Sequence, residues 1–235
     1  MNSVLKIKKG TFHCEETQES KNAHNHEAWD PDWIDYIYVC ILECTDPSCR
    51  EIVSSTGEGS IECEFEYDHN EMPHERHVEY YLPKYFVPHL KMFLCPADTP
   101  NKIREEIDSS FSLFFSDADA AANHVRAALE AMLSHFKIKR FELKGKKRRY
   151  LALHRRIELL PDRYKHLQDL FIAAKWLGNA GSHGGKRVSI DDVLDAYEIV
   201  EEILHCVFEK KATRVRRIAK RINKKKGPAK RVQTK

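Results

Sequence analysis

The chain has 235 residues, of which 42% are hydrophobic and 32% charged, a size that accommodates one large or two small domains with hydrophobic cores. It contains no run of about 18 apolar residues, and residues 1–10 lack the apolar stretch of a secretory signal, so we expect a cytoplasmic protein with no membrane partner. The net charge of +3 hides a segregation, because residues 210–235 contain 13 Lys and Arg and no acid, whereas residues 13–79 contain 18 acids and three bases.

The first predicted element is a short sheet within residues 11–80, which we interpret as a small β-rich module. Alternate side chains of residues 35–43 share one face of a strand: Tyr36, Tyr38, Cys40 and Leu42. Residues 61–67 alternate between apolar or aromatic side chains and Glu, which is typical of a half-buried antiparallel strand with an acidic, wet face. Gly57 and Gly59 lie between the two segments, so we expect them in the turn of a hairpin.

The seven cysteines, an odd number at irregular spacings, do not form the framework of a secreted disulfide-rich protein. We therefore expect core thiols or metal ligands. Cys44 and Cys49 enclose an Asp-Pro turn, which is half of a zinc ribbon, and tetrahedral closure needs two more ligands. We take these from Cys14 and from His24 or His26, and predict a structural zinc site in a zinc-ribbon-like module. The same residues also fit a small sheet with free thiols and no metal.

A connector and then a helical domain follow the sheet. Residues 81–98 are interpreted as a proline-rich extended connector, because prolines there disfavour a helix. Residues 99–210 are predicted to form an antiparallel bundle of four long amphipathic helices, with a basic loop, KGKKRR, and a short helix around residues 151–159 between the second and third. The long helices are expected to begin at Thr99 as N-cap, at Ser116–Asp117, near Asp162 and at Ser189. The predicted fold class is α+β, mainly α.

Four segments of the bundle resemble one known family. They occur in the order NHVRAALEAML, LHRRIELLP, AAKWLGNAGSHGG and DDVLDAYEIVEEIL between residues 123 and 204. Their order and spacing resemble domain-of-unknown-function family 4145, known from bacterial restriction and defence proteins and from stand-alone chains. The upstream YYLPKYFVPHL and the Cys44–Cys49 knuckle resemble the N-terminal half of such chains. The resemblance implies a HEPN-like bundle (higher eukaryotes and prokaryotes nucleotide-binding), and HEPN domains often pair as homodimers.

The resemblance also implies a catalytic site in the segment GNAGSH. Many HEPN domains are metal-independent ribonucleases with an Arg followed about one turn later by a His. The histidine takes a proton from the ribose 2′-hydroxyl near neutral pH, and the guanidinium stabilises the crowded phosphate. The matching histidine here is His183, with Asn179 one helical turn before it as a binding residue, whereas Gly178 stands where those enzymes carry Arg.

We expect Arg126 to supply the cation that Gly178 does not. Glu130 lies one turn after Arg126 and projects from the same face, so it is a second binding candidate. Lys175, Lys186 and Arg187 are weaker candidates for the cation. The alternative is structural: the glycines end a helix and allow close packing, while Arg126 and Glu130 form a partly buried ion pair that joins two helices.

The basic tail, residues 211–235, is expected to bind phosphate backbone without reading bases. It also fits a tail that only keeps the protein in solution. We therefore predict a HEPN-like protein that engages nucleic acid, in the first instance RNA, or a nucleotide, in bacterial defence, with metal-independent endoribonuclease activity as the enzymatic version. The competing prediction is a non-catalytic dimerisation or interaction module with the tail as a tether.

Overall fold

The computed structural model describes residues 4–67, 72–145, 147–179, 187–209 and 218–224. It divides the chain into two units, residues 1–90 and 91–235. The first unit is built on a sheet and the second mainly on helices, which confirms the α+β fold class. Within the described residues, no helix is long and apolar enough to cross a membrane.

The first unit contains one antiparallel sheet of five strands. These are β1 (Leu5–Ile7), β2 (His13–Glu16), β3 (Asp35–Cys44), β4 (Ile52–Tyr67) and β5 (Pro73–Val87). Strands β1, β3, β4 and β5 are neighbours in that order, and β2 pairs with β3 further along the edge that β1 uses. A short helix, α1 (Gln18–Ala23), and a 3₁₀ turn (Pro31–Trp33) connect β2 to β3. The sheet is larger than the hairpin that the sequence predicts.

The predicted alternation holds in β3 and fails in the outer half of β4. Tyr38 and Cys40 are buried as expected. In β4, however, Cys63 is exposed and the side chain of Phe65 is 60% exposed. Strand β3 begins opposite Ser60, so the part of β4 beyond that point pairs with β5 alone. A two-stranded ribbon has little to pack against, so an alternating pattern of apolar and polar residues does not by itself bury the apolar face of the strand.

The predicted turn at Gly57 and Gly59 is wrong, because both glycines lie inside β4. The chain reverses instead at residues 45–51, between Cys44 and Ile52. A Cβ atom at Gly57 would overlap the carbonyl oxygen of Leu82, at a register shift between β4 and β5. A Cβ at Gly59 would lie 2.7 Å from the ring of Tyr81. These glycines therefore permit close approach of β5 rather than a turn.

Strand β5 also changes the predicted connector. Residues 81–87 belong to the sheet and not to an extended link. Pro83 is accommodated there because β5 is an edge strand, where a missing backbone N–H leaves no ladder bond unmade.

The second unit contains five α-helices up to residue 208, a small hairpin and, among its other described residues, a helical segment at 218–224. The helices are α2 (Asn101–Leu113), α3 (Ala118–His135), α4 (Leu153–Glu158), α5 (Gln168–Asn179) and α6 (Ile190–Phe208). The predicted basic loop forms the hairpin of β6 (Phe141–Lys144) and β7 (Lys147–Tyr150). The third long helix begins as a 3₁₀ helix, Asp162–Leu167, before α5.

Two of the predicted helix caps are confirmed. The side chain of Asp117 accepts from the backbone N–H of Ala120 at 2.9 Å, and Ser189 forms a reciprocal capping box with Asp192. At α2 the N-cap is Pro100 without a side-chain hydrogen bond, and the buried hydroxyl of Thr99 has no partner among the described residues. The N-cap of α2 is therefore Pro100, one residue later than the predicted Thr99.

The helices enclose one hydrophobic core. Each of α2, α3, α5 and α6 contributes fully buried side chains, among them Ile107, Leu129, Phe171 and Leu204. Tyr197 of α6 sits inside this core, and its hydroxyl lies 2.8 Å from that of Ser110. Burial raises the pKa of Tyr197 to about 12. This core holds α3 and α5 side by side, which brings Arg126 of α3 close to Lys175 and Gly178 of α5.

Candidate functional site

The predicted pair Arg126 and Glu130 lies on one face of α3. The Nε atom of Arg126 is 3.7 Å from Oε1 of Glu130, and both side chains are half-buried, at 32% and 26% exposed. Spacing of four residues along a helix brings these groups together. The structure therefore contains the partly buried ion pair of the structural alternative, and the same pair carries the cation that the ribonuclease interpretation requires.

Glu130 is shared by a further network that the sequence did not predict. The hydroxyl of Tyr150, at the end of β7, donates to Oε2 of Glu130 at 2.9 Å. The Nη1 atom of Arg156, in α4, lies 4.0 Å from the same carboxylate, and Arg156 is fully buried. Burial raises the pKa of Tyr150, and the hydrogen bond to Glu130 raises it further. Glu130 thus joins α3 to α4 and to the hairpin.

Arg156 is the least expected member of this network. Burial lowers its pKa, although a guanidinium stays charged in proteins. Its Nη2 donates to Oγ of Ser134 at 2.9 Å, while Nε and Nη1 have no hydrogen-bond partner in the described part of the chain. The sequence signal was present, because Arg156 falls on the buried stripe of α4 between Leu153 and Ile157.

The structure explains why glycine occupies position 178. Gly178 is buried in α5, and a Cβ atom there would lie 3.0 Å from the carbonyl oxygen of Ala122 and 3.1 Å from Cβ of Arg126. Helices α3 and α5 therefore approach so closely that a side chain at this point would require α3 to give by a few tenths of an ångström. The space that a longer residue at 178 would need is taken by the backbone of α3 and the stem of Arg126.

Lys175 lies one turn before Gly178 in α5 and is only 7% exposed. Burial lowers its pKa, and the nearby charge of Arg126 lowers it further. Its Nζ atom sits 3.3 Å from the centroid of the Trp176 ring. Among the described residues, no hydrogen bond or ion pair gives Lys175 a counter-charge. We call Arg126 and Lys175 the cation pair. Glu130 already neutralises Arg126, so among the described residues the charge of Lys175 is the one without a counter-charge, and it favours an added anion.

The remaining predicted residues are described only in part. His183 and Lys186 lie outside the described residues, as does the side chain of Asn179. Arg187 is exposed at the start of the next described range. The backbone N–H of Val188 donates to Oδ1 of Asp119, in the first turn of α3, at 2.9 Å. Helix α5, before the part of GNAGSH that lies outside the described residues, and Val188, after it, thus both contact α3, the helix that contains Arg126.

The four predicted zinc ligands do not come together. Cys14 pairs with Tyr38 in the sheet, six residues along β3 from Cys44, a separation of about 20 Å at the usual rise per residue. His24 contacts Glu16, with its Nε2 atom 2.7 Å from Oε1. Among the described residues, no three Cys, His, Asp or Glu side chains form a group fit for a metal ion. The predicted set therefore does not fit one tetrahedral site.

Cys44 and Cys49 remain close neighbours across the turn between β3 and β4. Cys44 is buried and Cys49 exposed. A backbone hydrogen bond with Glu51 lowers the pKa of Cys49, but the hydrogen bond with Cys44, burial and the nearby charges of Cys44 and Glu51 raise it, and the net shift is upward. Two thiols alone do not close a zinc site.

Two family models match the chain. The model of a domain of unknown function, DUF4145, matches residues 108–225, which is half of the chain, and that of a second domain of unknown function, DUF8608, matches residues 1–86. The two matches fall on the helical and the sheet unit respectively. No curated protein and no solved structure matches the chain.

Proposed function

Since the chain belongs to the DUF4145 family of domains of unknown function, we propose that its helical unit is a HEPN-like domain that binds RNA through the cation pair. The proposal rests on the likeness to that family and on the chemistry of Arg126 and Lys175. A role in bacterial defence is part of the same proposal and is supported by the family resemblance alone.

The observation that carries the proposal is the placement of Lys175. A lysine that is 93% removed from solvent, beside an arginine and without a counter-charge among the described residues, is costly for a folded protein. Such a cost is common where a protein binds a ligand of opposite charge. A phosphate diester supplies one negative charge and several acceptor oxygens, and a guanidinium and an ammonium bind these strongly.

The enzymatic form of the proposal adds His183. In it, the imidazole takes the proton of the ribose 2′-hydroxyl, the oxygen attacks the adjacent phosphorus, and the 5′-oxygen leaves, which produces a 2′,3′-cyclic phosphate. Arg126 stabilises the negative charge that develops on the phosphate. In this scheme the glycine at 178 is no obstacle, because Arg126 reaches the same neighbourhood from α3.

Binding and cleavage are tested with a labelled single-stranded RNA. We expect Lys175→Ala to weaken binding about tenfold or more, since a charged hydrogen bond contributes about 1.5–3 kcal/mol, while the exposed Lys102→Ala in α2 leaves it unchanged. Fluorescence anisotropy at fixed salt measures both. Equal affinity of the two variants would contradict the proposal.

Cleavage is a separate readout. We expect wild-type protein in the presence of a chelator to cut the RNA and leave 2′,3′-cyclic ends, and His183→Ala to abolish the cut. Binding without cleavage would retain the binding function and remove the enzymatic one.

The second proposal is a non-catalytic scaffold, a homodimer with the basic tail as a tether. The network around Glu130 favours it, because a carboxylate that holds Arg126, Arg156 and Tyr150 serves packing equally well. If Lys175→Ala changes the mass measured by light scattering and leaves RNA affinity unchanged, the scaffold is the better account.

A further inference from the structure

Trp176 is the large aromatic side chain that the helical core leaves out. It is 60% exposed in α5, directly after the buried Lys175. A single exposed tryptophan is not unusual, so its neighbours decide whether it can bind a ligand. The ammonium of Lys175 lies 3.3 Å from the centroid of its ring. One face of the indole is therefore held by a cation, and much of the ring remains accessible.

This arrangement places three recognition elements next to each other. Arg126 and Lys175 attract a phosphate, and the indole lies against the same ammonium. Proteins that bind single-stranded nucleic acids combine cations along the backbone with aromatic side chains on which bases stack.

We propose that Trp176 is a base-stacking platform and that the ligand of this site is an unpaired nucleotide within single-stranded RNA, with its phosphate on the cation pair. This proposal rests on the RNA-binding function given above and adds the strandedness of the ligand and the residue that reads it. A paired base cannot stack on the indole, because both of its faces are already covered in a duplex. The platform therefore selects single strands, or a free nucleotide with the same chemistry.

The contact with Lys175 also prepares the ring for stacking. An ammonium over the indole restricts the rotation of the side chain, so less conformational entropy is lost when a base binds. Lys175 thereby acts twice, as a partner for phosphate and as a support for Trp176. A merely exposed tryptophan would lack this support and would not lie beside a cation that has no counter-charge among the described residues.

The test separates stacking from electrostatic attraction. The probe is a labelled 12-residue 2′-O-methyl oligouridylate, which resists cleavage through the 2′-hydroxyl, compared with an abasic oligomer of the same length and charge. The basic tail binds both through their phosphates, so a difference between them reports on bases. We expect Trp176→Ala to weaken binding of the base-containing oligomer about tenfold and to leave the abasic one within about twofold. Anisotropy on the full chain measures both.

Matched variants guard against misfolding. Trp176→Phe keeps an aromatic face and should retain most of the affinity, and Trp33→Ala, at another exposed tryptophan (42% exposed), should change nothing. In a Trp29→Phe, Trp33→Phe background the fluorescence of Trp176 should be quenched by the oligouridylate and not by the abasic oligomer. Uridine monophosphate and a duplex of the same sequence are further probes. Quenching by the duplex as strong as that by the single strand would overturn the selectivity.

The outcomes distinguish the two proposals. If Lys175→Ala weakens binding of both oligomers and Trp176→Ala weakens neither, the RNA-binding function stands and the stacking platform is wrong. If the wild type binds neither oligomer, both are wrong. If Trp176→Ala alters only the oligomeric state, the exposed ring belongs to a protein interface and the inference fails. Binding of the monophosphate as tight as that of the oligomer identifies a free nucleotide as the ligand.

Discussion

The two units of this protein differ in how they bury their apolar side chains. The helical unit encloses a continuous core to which every long helix contributes. The sheet unit buries few apolar side chains, among them Tyr38, Cys40 and Val53, and leaves others in its strands exposed, such as Ile37, Leu82 and Val87. Hydrophobic burial is the main favourable term in folding, so stability should depend on particular side chains far more strongly in the helical unit.

A pair of phenylalanines tests this difference most strongly. Phe171 of α5 is fully buried, and Phe65 of β4 is 60% exposed. We expect Phe171→Ala to lower the free energy of unfolding by about 3–5 kcal/mol, because it removes buried surface and leaves a cavity. Phe65→Ala should change it by about 0.5 kcal/mol or less. Urea denaturation followed by circular dichroism measures both, and similar losses would contradict the contrast.

A glycine substitution sharpens the comparison within the helical unit. Gly178→Arg places the cation where HEPN ribonucleases carry it, but its Cβ atom would lie only 3.0 Å from the carbonyl oxygen of Ala122 in α3. We expect the variant to lose about 1–3 kcal/mol of stability through overpacking, without any gain in RNA affinity. Gly145→Asn is the control: it lies in open space at φ 65°, which Asn tolerates. A stable Gly178→Arg variant would mean that the helices separate easily.

The smallest effect concerns pH. Burial and the charge of Arg126 lower the pKa of Lys175 in the folded protein from the ordinary 10.5. Over the window just below pH 10.5 the unfolded chain therefore binds more protons, and the contribution of this lysine to stability rises with pH. RNA affinity changes in the opposite sense, because the ammonium that binds phosphate is lost as pH rises through the lowered pKa. Lys175→Arg should remove this part of the decline below pH 10.5, as arginine stays charged. Parallel anisotropy curves for both proteins would refute it.

Local signals were sufficient for much of the helical unit. Ser189 with Asp192, and Asp117 before α3, are short-range capping patterns, and a side-chain oxygen needs only the next few backbone N–H groups to form them. The apolar stripes identified the buried faces, because a helix in a bundle buries the side chains that recur every three to four residues on one face. The family assignment also came from such local segments.

The sheet unit was predicted less well because its structure depends on partners distant in sequence. Glycine favours both turns and close contacts, and only the pairing of β4 with β5 shows that Gly57 and Gly59 serve the second purpose. The zinc prediction chose ligands by residue type and by spacing along the chain. In the structure, the register of β2 on β3 separates Cys14 from Cys44. The register of two strands cannot be predicted from the spacing of their residues along the chain.

The candidate site shows the same division. The sequence by itself determined that Arg126 and Glu130 share a face, since an interval of four residues in a helix requires it. Only the tertiary structure decided that Arg156 and Tyr150 contact Glu130, and that Gly178 lies against α3. It also decided that Lys175 is buried beside Arg126 while Trp176 is exposed to solvent. These facts depend on how helices pack across the core, where burial and charge are set by neighbours that no local pattern specifies.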